Sequence, residues 1–294
     1  MNIKNCPICT QEAVLYCSKD RANYFRCDSC GTIFQDPLPT LQEMMDYANA
    51  EYSNGLYKEY LEANDLKYAT FEYRLNKVVE AFKRQNPSVT APRILDVGCS
   101  NGRFIEVAIR NGIEAWGLEL SENAIAAASP DTRVRIYHGD ANNIEHLGME
   151  KFDIITAFDL VEHLFDPFSF LNHLYKIITK DGIIVITTPD ASSLPRMLMG
   201  KNWPMLQPFQ HTILLSRKAS QMLLQKTNYK DISVEGTKKV FTLDYLFNQL
   251  KGPSPNLYQI YNRFEKILPN FIKENKIQVN IGEMMVSASP ISSR

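Results

Sequence analysis

An α/β architecture is predicted: a mostly parallel sheet with helices on both faces, preceded by a small cysteine-bearing β module. Three observations predict it. Short apolar runs recur every 15 to 30 residues from position 93 onward, and helix-forming segments separate them. The run Arg93-Ile94-Leu95-Asp96-Val97-Gly98-Cys99-Ser100-Asn101-Gly102, followed by the amphipathic segment from Arg103 to Arg110, reads as a buried parallel strand, a glycine turn and a helix N-terminus. Two Cys-x-x-Cys pairs stand at the N-terminus.

The N-terminal module comes first in the chain. Cys6-x-x-Cys9, seventeen intervening residues and Cys27-x-x-Cys30 fit the C-x₂-C-x₁₅₋₂₀-C-x₂-C spacing of a tetrahedral structural zinc site. With β-rich 13–16 and 24–26 between the pairs, residues 1–38 read as a zinc ribbon closed by Asp36-Pro37-Leu38-Pro39. The metal ligands are Cys6, Cys9, Cys27 and Cys30, and four thiolates leave no open position for catalysis. A reducing compartment disfavours the disulfide alternative. Of six cysteines, Cys17 reads as a small hydrophobe and Cys99 lies in the glycine turn, facing core or ligand. Residues 39–90 form a helical linker carrying Tyr47, Tyr52, Tyr57, Tyr60, Tyr68 and Tyr73.

The glycine turn then decides what kind of ligand is expected. A dinucleotide site needs G-x-G-x-x-G to bring backbone against a pyrophosphate, and here the register is Gly98, Ser100, Gly102 with Asp96 ahead of it. That pattern fails, and the acid suits a cationic ligand. A second apolar run, 115–120, reaches Glu119, 21 residues after Gly98, where a carboxylate accepts from both hydroxyls of a ribose. A third strand at 133–137 leads into His138-Gly139-Asp140-Ala141. The fourth is 152–158 and the fifth 182–189. Ser216 caps a helix over 217–226, a sixth strand falls near 232–240, and the last runs over 276–289.

The D-x-G-x-x-x-G arrangement of Asp96, Gly98 and Gly102 resembles motif I of the class I S-adenosylmethionine-dependent methyltransferases, and the later strands follow in that family's order. The resemblance implies a Rossmann-like seven-stranded sheet whose last strand is antiparallel, occupying residues 91–294, with S-adenosyl-L-methionine as cofactor. It places Asp96, Gly98, Ser100 and Gly102 in the cofactor turn, Glu119 and Leu120 at the ribose, Asp140 on the adenine amino group, the Ala141 backbone on the ring, and Phe158 at the end of the fourth strand. It also implies a helical cap within 39–90, whose tyrosines line the pocket or simply pack helices onto the core. Segments near 190–211 and 241–273 follow strands that end at the cofactor face and read as lids.

Chemistry is expected just after the fourth strand, at Asp159, Glu162 and His163. Methyl transfer from a sulfonium is a direct displacement, so alignment is the protein's main task. His163 suits removal of an acceptor proton; equally, a histidine here in the family shapes the cofactor pocket. Asp159, Glu162, His163 and the later His211 also resemble a divalent-ion site of related O-methyltransferases, which would hold Mg²⁺ or Mn²⁺.

Composition narrows the partners. The chain has 294 residues, 45% of them apolar, and a formal net charge of −1. Lys and Arg are scattered, so no nucleic-acid partner is expected. No apolar run reaches 18 residues, and the N-terminus leads into a cysteine pair instead of a signal-peptide core, so a cytoplasmic protein with no membrane partner is expected. The sequence does not fix an oligomeric state. The expected activity is methylation of a small-molecule acceptor, with O-methylation in saccharide or secondary-metabolite biosynthesis foremost. C-methylation of a nucleotide-linked keto-sugar is the alternative. A third reading, from another class, is a cofactor-binding protein whose ribbon recruits a protein or RNA.

Overall fold

A computed structural model describes residues 3–44, 64–141, 144, 150–249, 255–264, 269, 273 and 275–291. Tyr47, Tyr52, Tyr57, Tyr60 and His146 lie outside the described residues.

The central sheet has seven strands: β5 (Arg93–Val97), β6 (Glu114–Glu119), β7 (Ile136–His138), β8 (Phe152–Phe158), β9 (Ile178–Pro189), β11 (Tyr229–Phe241) and β12 (Ile277–Pro290). Their order across the sheet is β11-β12-β9-β8-β5-β6-β7. Pairs β5/β6, β6/β7, β5/β8 and β8/β9 are parallel. β12 runs antiparallel to both of its neighbours, as expected of the last strand. Chain progression reverses between β5 and β8, and ligands in open α/β sheets bind at such a point, beyond the strand carboxyl ends.

Helices cover both faces because each carries one apolar stripe. On one face α1 (Asn64–Gln85) and α2 (Arg103–Arg110) bury Leu75, Val78, Phe82, Phe104, Ile105, Val107 and Ala108. Each larger side chain contributes about 1.5–3 kcal/mol by leaving water. On the other face α5 (Pro167–Ile177) and α7 (Arg217–Lys226) bury Phe170, Leu171, Leu174, Leu223 and Leu224. Asp166 caps α5 by accepting from the Phe168 and Ser169 amides, and Ser216 caps α7 by accepting from Ala219. Shorter helices are α3 (Glu122–Ala126), α4 (Pro130–Arg133), α6 (Leu194–Met199), α8 (Leu243–Gln249) and α9 (Pro255–Phe264).

Two strand boundaries differ from expectation. The third strand begins at Ile136, three residues later than expected, since Arg133 ends α4. Ser129-Pro130 is a helix start, with proline at a position whose missing N–H costs nothing. The fifth strand begins at Ile178, directly after α5, four residues before the expected glycine.

A second sheet holds the N-terminal residues, in the order β1-β2-β3-β4-β10. Its strands are β1 (Ile3–Asn5), β2 (Glu12–Lys19), β3 (Ala22–Cys27), β4 (Ile33–Gln35) and β10 (Ile213–Leu214). The fifth strand comes from far along the chain, pairing Ile213 with Phe34 and Leu214 with Ile33. Trp203, Leu206 and Ala191 pack against Ala22, Tyr24 and Ile33. The aromatic 190–211 segment is thus anchored to the small sheet, through a Trp203 only 1% exposed.

Candidate active site

Between β5 and α2 the chain turns in left-handed conformations at Gly98 (φ 74°), Ser100 (φ 50°) and Gly102 (φ 74°). Glycine relieves the strain at two of these positions, and at Gly102 a Cβ would meet Thr132 Cγ2 at 2.3 Å. The close turn is also permitted from below, since Cys99 packs its sulfur against Gly117, where a Cβ would come within 2.4 Å. Burial, aided by Asp96 and Glu119, pushes the Cys99 thiol well up, which fits packing and not nucleophilic attack.

The turn faces a carboxylate. The Ser100 amide donates to Glu119 Oε2 and the Ser121 amide to Oε1, each at 2.8 Å. Both carboxylate oxygens are thereby oriented, with lone pairs remaining for a further donor. Leu120 beside it is 58% exposed, an apolar surface next to the acid. Asp140 and Ala141 follow β7 at the same end of the sheet and are half-buried. Asp96 is buried, accepts from Thr156 Oγ1 at 2.7 Å, and is raised to about 7 chiefly by burial. The Phe158 side chain sits edge-on to Phe104 at 4.8 Å, with the Arg74 guanidinium 5.0 Å from its ring. That ring belongs to the aromatic packing and is 8% exposed.

The segment after β8 carries the three expected catalytic residues and sets Asp159 apart from the other two. Asp159 adopts φ 52° and is held by Thr187, whose hydroxyl donates to Oδ1 at 3.0 Å. Arg74 Nη2 contacts both Asp159 oxygens at 3.0 and 3.1 Å and Glu283 at 3.4 Å. Lys239 lies 3.4 Å from Asp159 and also pairs with Glu283. Burial opposes ionisation of Asp159, but Arg74 and then Lys239 outweigh it and hold the carboxyl well below the usual range. Arg74, Lys239 and Glu283 escaped the sequence analysis; the one local signal was Glu283, a lone acid within the apolar run 281–286.

Glu162, His163 and His211 do converge, with one donor atom of each within 4.8 Å of the others. Asp159 stands outside this group, which corrects the four-residue expectation: its carboxylate is committed to Arg74, Lys239 and Thr187. Glu162 is 2% exposed, accepts from Thr188 Oγ1 at 2.8 Å, and is raised to about 8 by burial and by Asp159. His163 Nδ1 lies 3.1 Å from the Gln210 carbonyl, and His211 Nδ1 lies 2.7 Å from that of Met205. A carbonyl only accepts, so each Nδ1 carries the proton and each Nε2 keeps a lone pair. Burial lowers both histidines, His211 to about 3 with His163 adding to the effect, so both are neutral at pH 7.

In the small sheet the four cysteines are buried with sulfurs within 4.8 Å of one another. Cys6 and Cys30 are 3.5 Å apart, as are Cys9 and Cys27. Tetrahedral zinc with Zn–S near 2.3 Å separates its sulfurs by about 3.8 Å, so the residues present fit the ion. The Cys6–Cys30 contact lowers one thiol of the pair, Cys30, and raises the other, Cys6, so without a cation the two share one proton.

A methyltransferase domain family matches residues 67–234, more than half of the chain. The chain belongs to this methyltransferase domain family. It is 25% identical over 120 residues to a ubiquinone biosynthesis O-methyltransferase of Psychrobacter arcticus, covering 36% of this chain and 44% of that protein. The Agrobacterium fabrum protein of the same name is 31% identical over 136 residues, covering 43% and 54%. The chain thus spans about half the length of the curated relatives it matches. Among solved structures it resembles a SAM dependent methyltransferase from Archaeoglobus fulgidus, with a TM-score of 0.52, 20% identity, and coverage of 79% of this chain and 99% of that one. That likeness concerns the methyltransferase fold, which the seven-stranded sheet displays. Among the described residues no helix is long and apolar enough to cross a membrane.

Proposed function

We propose that the chain is an S-adenosylmethionine-dependent O-methyltransferase of a small molecule, with a structural zinc ion held by Cys6, Cys9, Cys27 and Cys30. The observation that carries the reading is the left-handed turn at Gly98–Ser100–Gly102 facing an oriented Glu119, with the acid Asp96 beneath it. Backbone donors and carboxylates suit ribose hydroxyls and a cationic ligand, whereas a pyrophosphate would meet like charge. The relatives' names support oxygen as the methylated atom; C-methylation has no comparable support.

When bound, S-adenosylmethionine supplies an electrophilic methyl group on a sulfonium. The chain's residues have three tasks around it. Glu119, Leu120, Asp140 and the Ala141 amide hold the nucleoside, while Asp96 and the backbone at Gly98, Ser100 and Gly102 form the floor beneath the amino-acid end. The neutral His163, its Nδ1–H tied to Gln210, takes the acceptor hydroxyl proton on Nε2. Glu162 and Asp159 position the loop through Thr188 and Thr187.

Convergence of Glu162, His163 and His211 supports a second reading, in which the three hold one divalent ion at the acceptor oxygen. Two imidazoles among three donors suit Mn²⁺ better than Mg²⁺. Calorimetry with S-adenosylhomocysteine tests the main reading: binding is expected, and a response to NAD or FAD alone would overturn it. Turnover that survives EDTA dialysis selects His163 as base; turnover restored by Mn²⁺ selects the ion.

A further inference from the structure

Two members of the charged cluster behind the candidate catalytic loop reach solvent. The Asp159 and Lys239 side chains are 34% and 27% exposed, against 2% for Arg74 and 5% for Glu283. Both stand at the carboxyl end of the sheet. Asp159 directly follows β8, and Lys239 is near the end of β11, which runs the same way as β8 and β9 because β12 is antiparallel to its two neighbours. The open edge of the pair therefore lies beside β8, where the sheet order reverses and the ligand crevice is.

The electrostatics of the site point to the same place. Burial dominates the shifts of Asp96, Glu162 and His163, and the Asp159 charge acts on each of them. Burial and His163 lower His211, and Lys239 adds to that fall. The pair thus sits between the floor of the cofactor turn and the two histidines.

Lys239 has a donor to spare. An ammonium carries three N–H groups; one meets Glu283, one faces Asp159 Oδ2 at 3.4 Å, and the third has no acceptor among the described residues. Arg74 cannot replace it, since its guanidinium is enclosed with the two acids. Asp159, Glu283 and Arg74 are the charged groups facing Lys239; burial disfavours its charge, and the two acids outweigh burial and raise it. It keeps its proton through neutral pH and serves as a donor, never as a base. Two cations balance two carboxylates, so the cluster is neutral at long range. At contact the balance differs, because an oxygen touching Nζ meets the ammonium directly, with the carboxylates a further hydrogen-bond length away. Such an oxygen is stabilised in its anionic form. His163 needs that help, since burial holds its basicity below that of a free imidazole.

We propose that Lys239 is a further catalytic residue, whose third N–H donates to the acceptor oxygen and favours the oxyanion that attacks the methyl group. The proton leaves the acceptor hydroxyl for His163 Nε2, and Lys239 keeps its own. The oxygen's electron pair forms the O–C bond as the C–S pair returns to sulfur. The inference rests on the methyltransferase reading, but its probe reports ionisation without turnover.

The test uses the full, zinc-loaded chain saturated with S-adenosylhomocysteine and titrates bound 4-nitrophenol by visible absorbance, since its ionised form alone is yellow. In the native chain the bound probe should ionise about one pH unit below the free probe, a tenfold change in its acidity constant. Lys239→Met should abolish the shift, and Lys239→Arg should retain it. Glu283→Gln, which removes a competing carboxylate, should enlarge it by about a further threefold, a change of opposite sign that a purely structural role would not produce. No binding or no shift in the native chain overturns the proposal, as does a shift that Lys239→Met leaves intact. Should Lys239→Met fail to fold, Glu283→Gln decides, and a shift that stays or shrinks there overturns it. If adenosylhomocysteine does not bind the native chain, the methyltransferase reading fails, while the same titration without it still decides the role of Lys239.

Discussion

Glu119 shows how one side chain turns a loop into a binding site. Its two oxygens are each fixed by a backbone N–H at 2.8 Å, so no rotamer search remains when ribose hydroxyls arrive. Replacing it by alanine should weaken adenosylhomocysteine binding about 10- to 100-fold, as expected for charge-assisted hydrogen bonds; unchanged calorimetric affinity would remove the assignment. His163→Ala should cut turnover about 10²- to 10⁴-fold with cofactor affinity retained, because general-base catalysis acts on the transition state alone. Equal losses in both would make His163 a scaffold. Asp96 titrates near 7 in the fold, above its unfolded value. A carboxyl raised by folding stabilises while protonated, and that contribution is lost as pH rises from about 4 through 7. Cofactor affinity should move the opposite way, since a cationic ligand prefers the ionised acid. Asp96→Asn should therefore flatten both the fall of Tm and the rise of affinity between pH 5 and 8.

Larger pieces of the fold meet at two tight places. The β5–α2 turn lies so close to β6 that Gly117→Ala would bring a Cβ within 2.4 Å of Cys99 Sγ and 2.6 Å of Ile105 Cδ1. The helix and turn must then shift, at a cost of about 1–3 kcal/mol, and cofactor affinity should fall with Tm in the same variant. Four neighbouring strands, β8, β9, β12 and β11, supply Asp159, Thr187, Glu283 and Lys239 to one cluster, and α1 closes it with Arg74. Arg74 is 2% exposed, so Arg74→Ala should cost about 3–5 kcal/mol in denaturant unfolding by leaving buried carboxylates undercompensated. A loss near zero would mean that Lys239 alone balances both acids.

Across the molecule, the cysteine module and the seven-stranded sheet share structure. The Ser216 hydroxyl at the start of α7 donates to the Cys30 carbonyl, Lys218 donates to Ser29 and Lys226 to Ile8. Because β10 belongs to the small sheet and begins two residues after His211, stripping the metal should disturb the candidate catalytic loop as well as the knuckles. Cys27→Ser or strong chelation is expected to raise amide exchange over 211–214 and to lower turnover. Native protein lacking zinc by atomic absorption would defeat the metal assignment.

The seven strands, the glycine turn and the four-cysteine spacing were all legible from the chain, because apolar periodicity, positive φ and knuckle geometry are each set within a few neighbouring residues. Strand edges were less so: Arg133, where the third strand was expected to begin, ends a short helix that starts at Pro130. The fate of Asp159 was hidden altogether, since its partner Arg74 lies 85 residues away, and Arg74 reaches Glu283 across 209. The closing of the small sheet by β10, from 178 residues beyond β4, was equally hidden. Charge pairing and clefts depend on which strands become neighbours, and that order follows from burying both sheet faces at once, a demand that no short stretch of residues expresses.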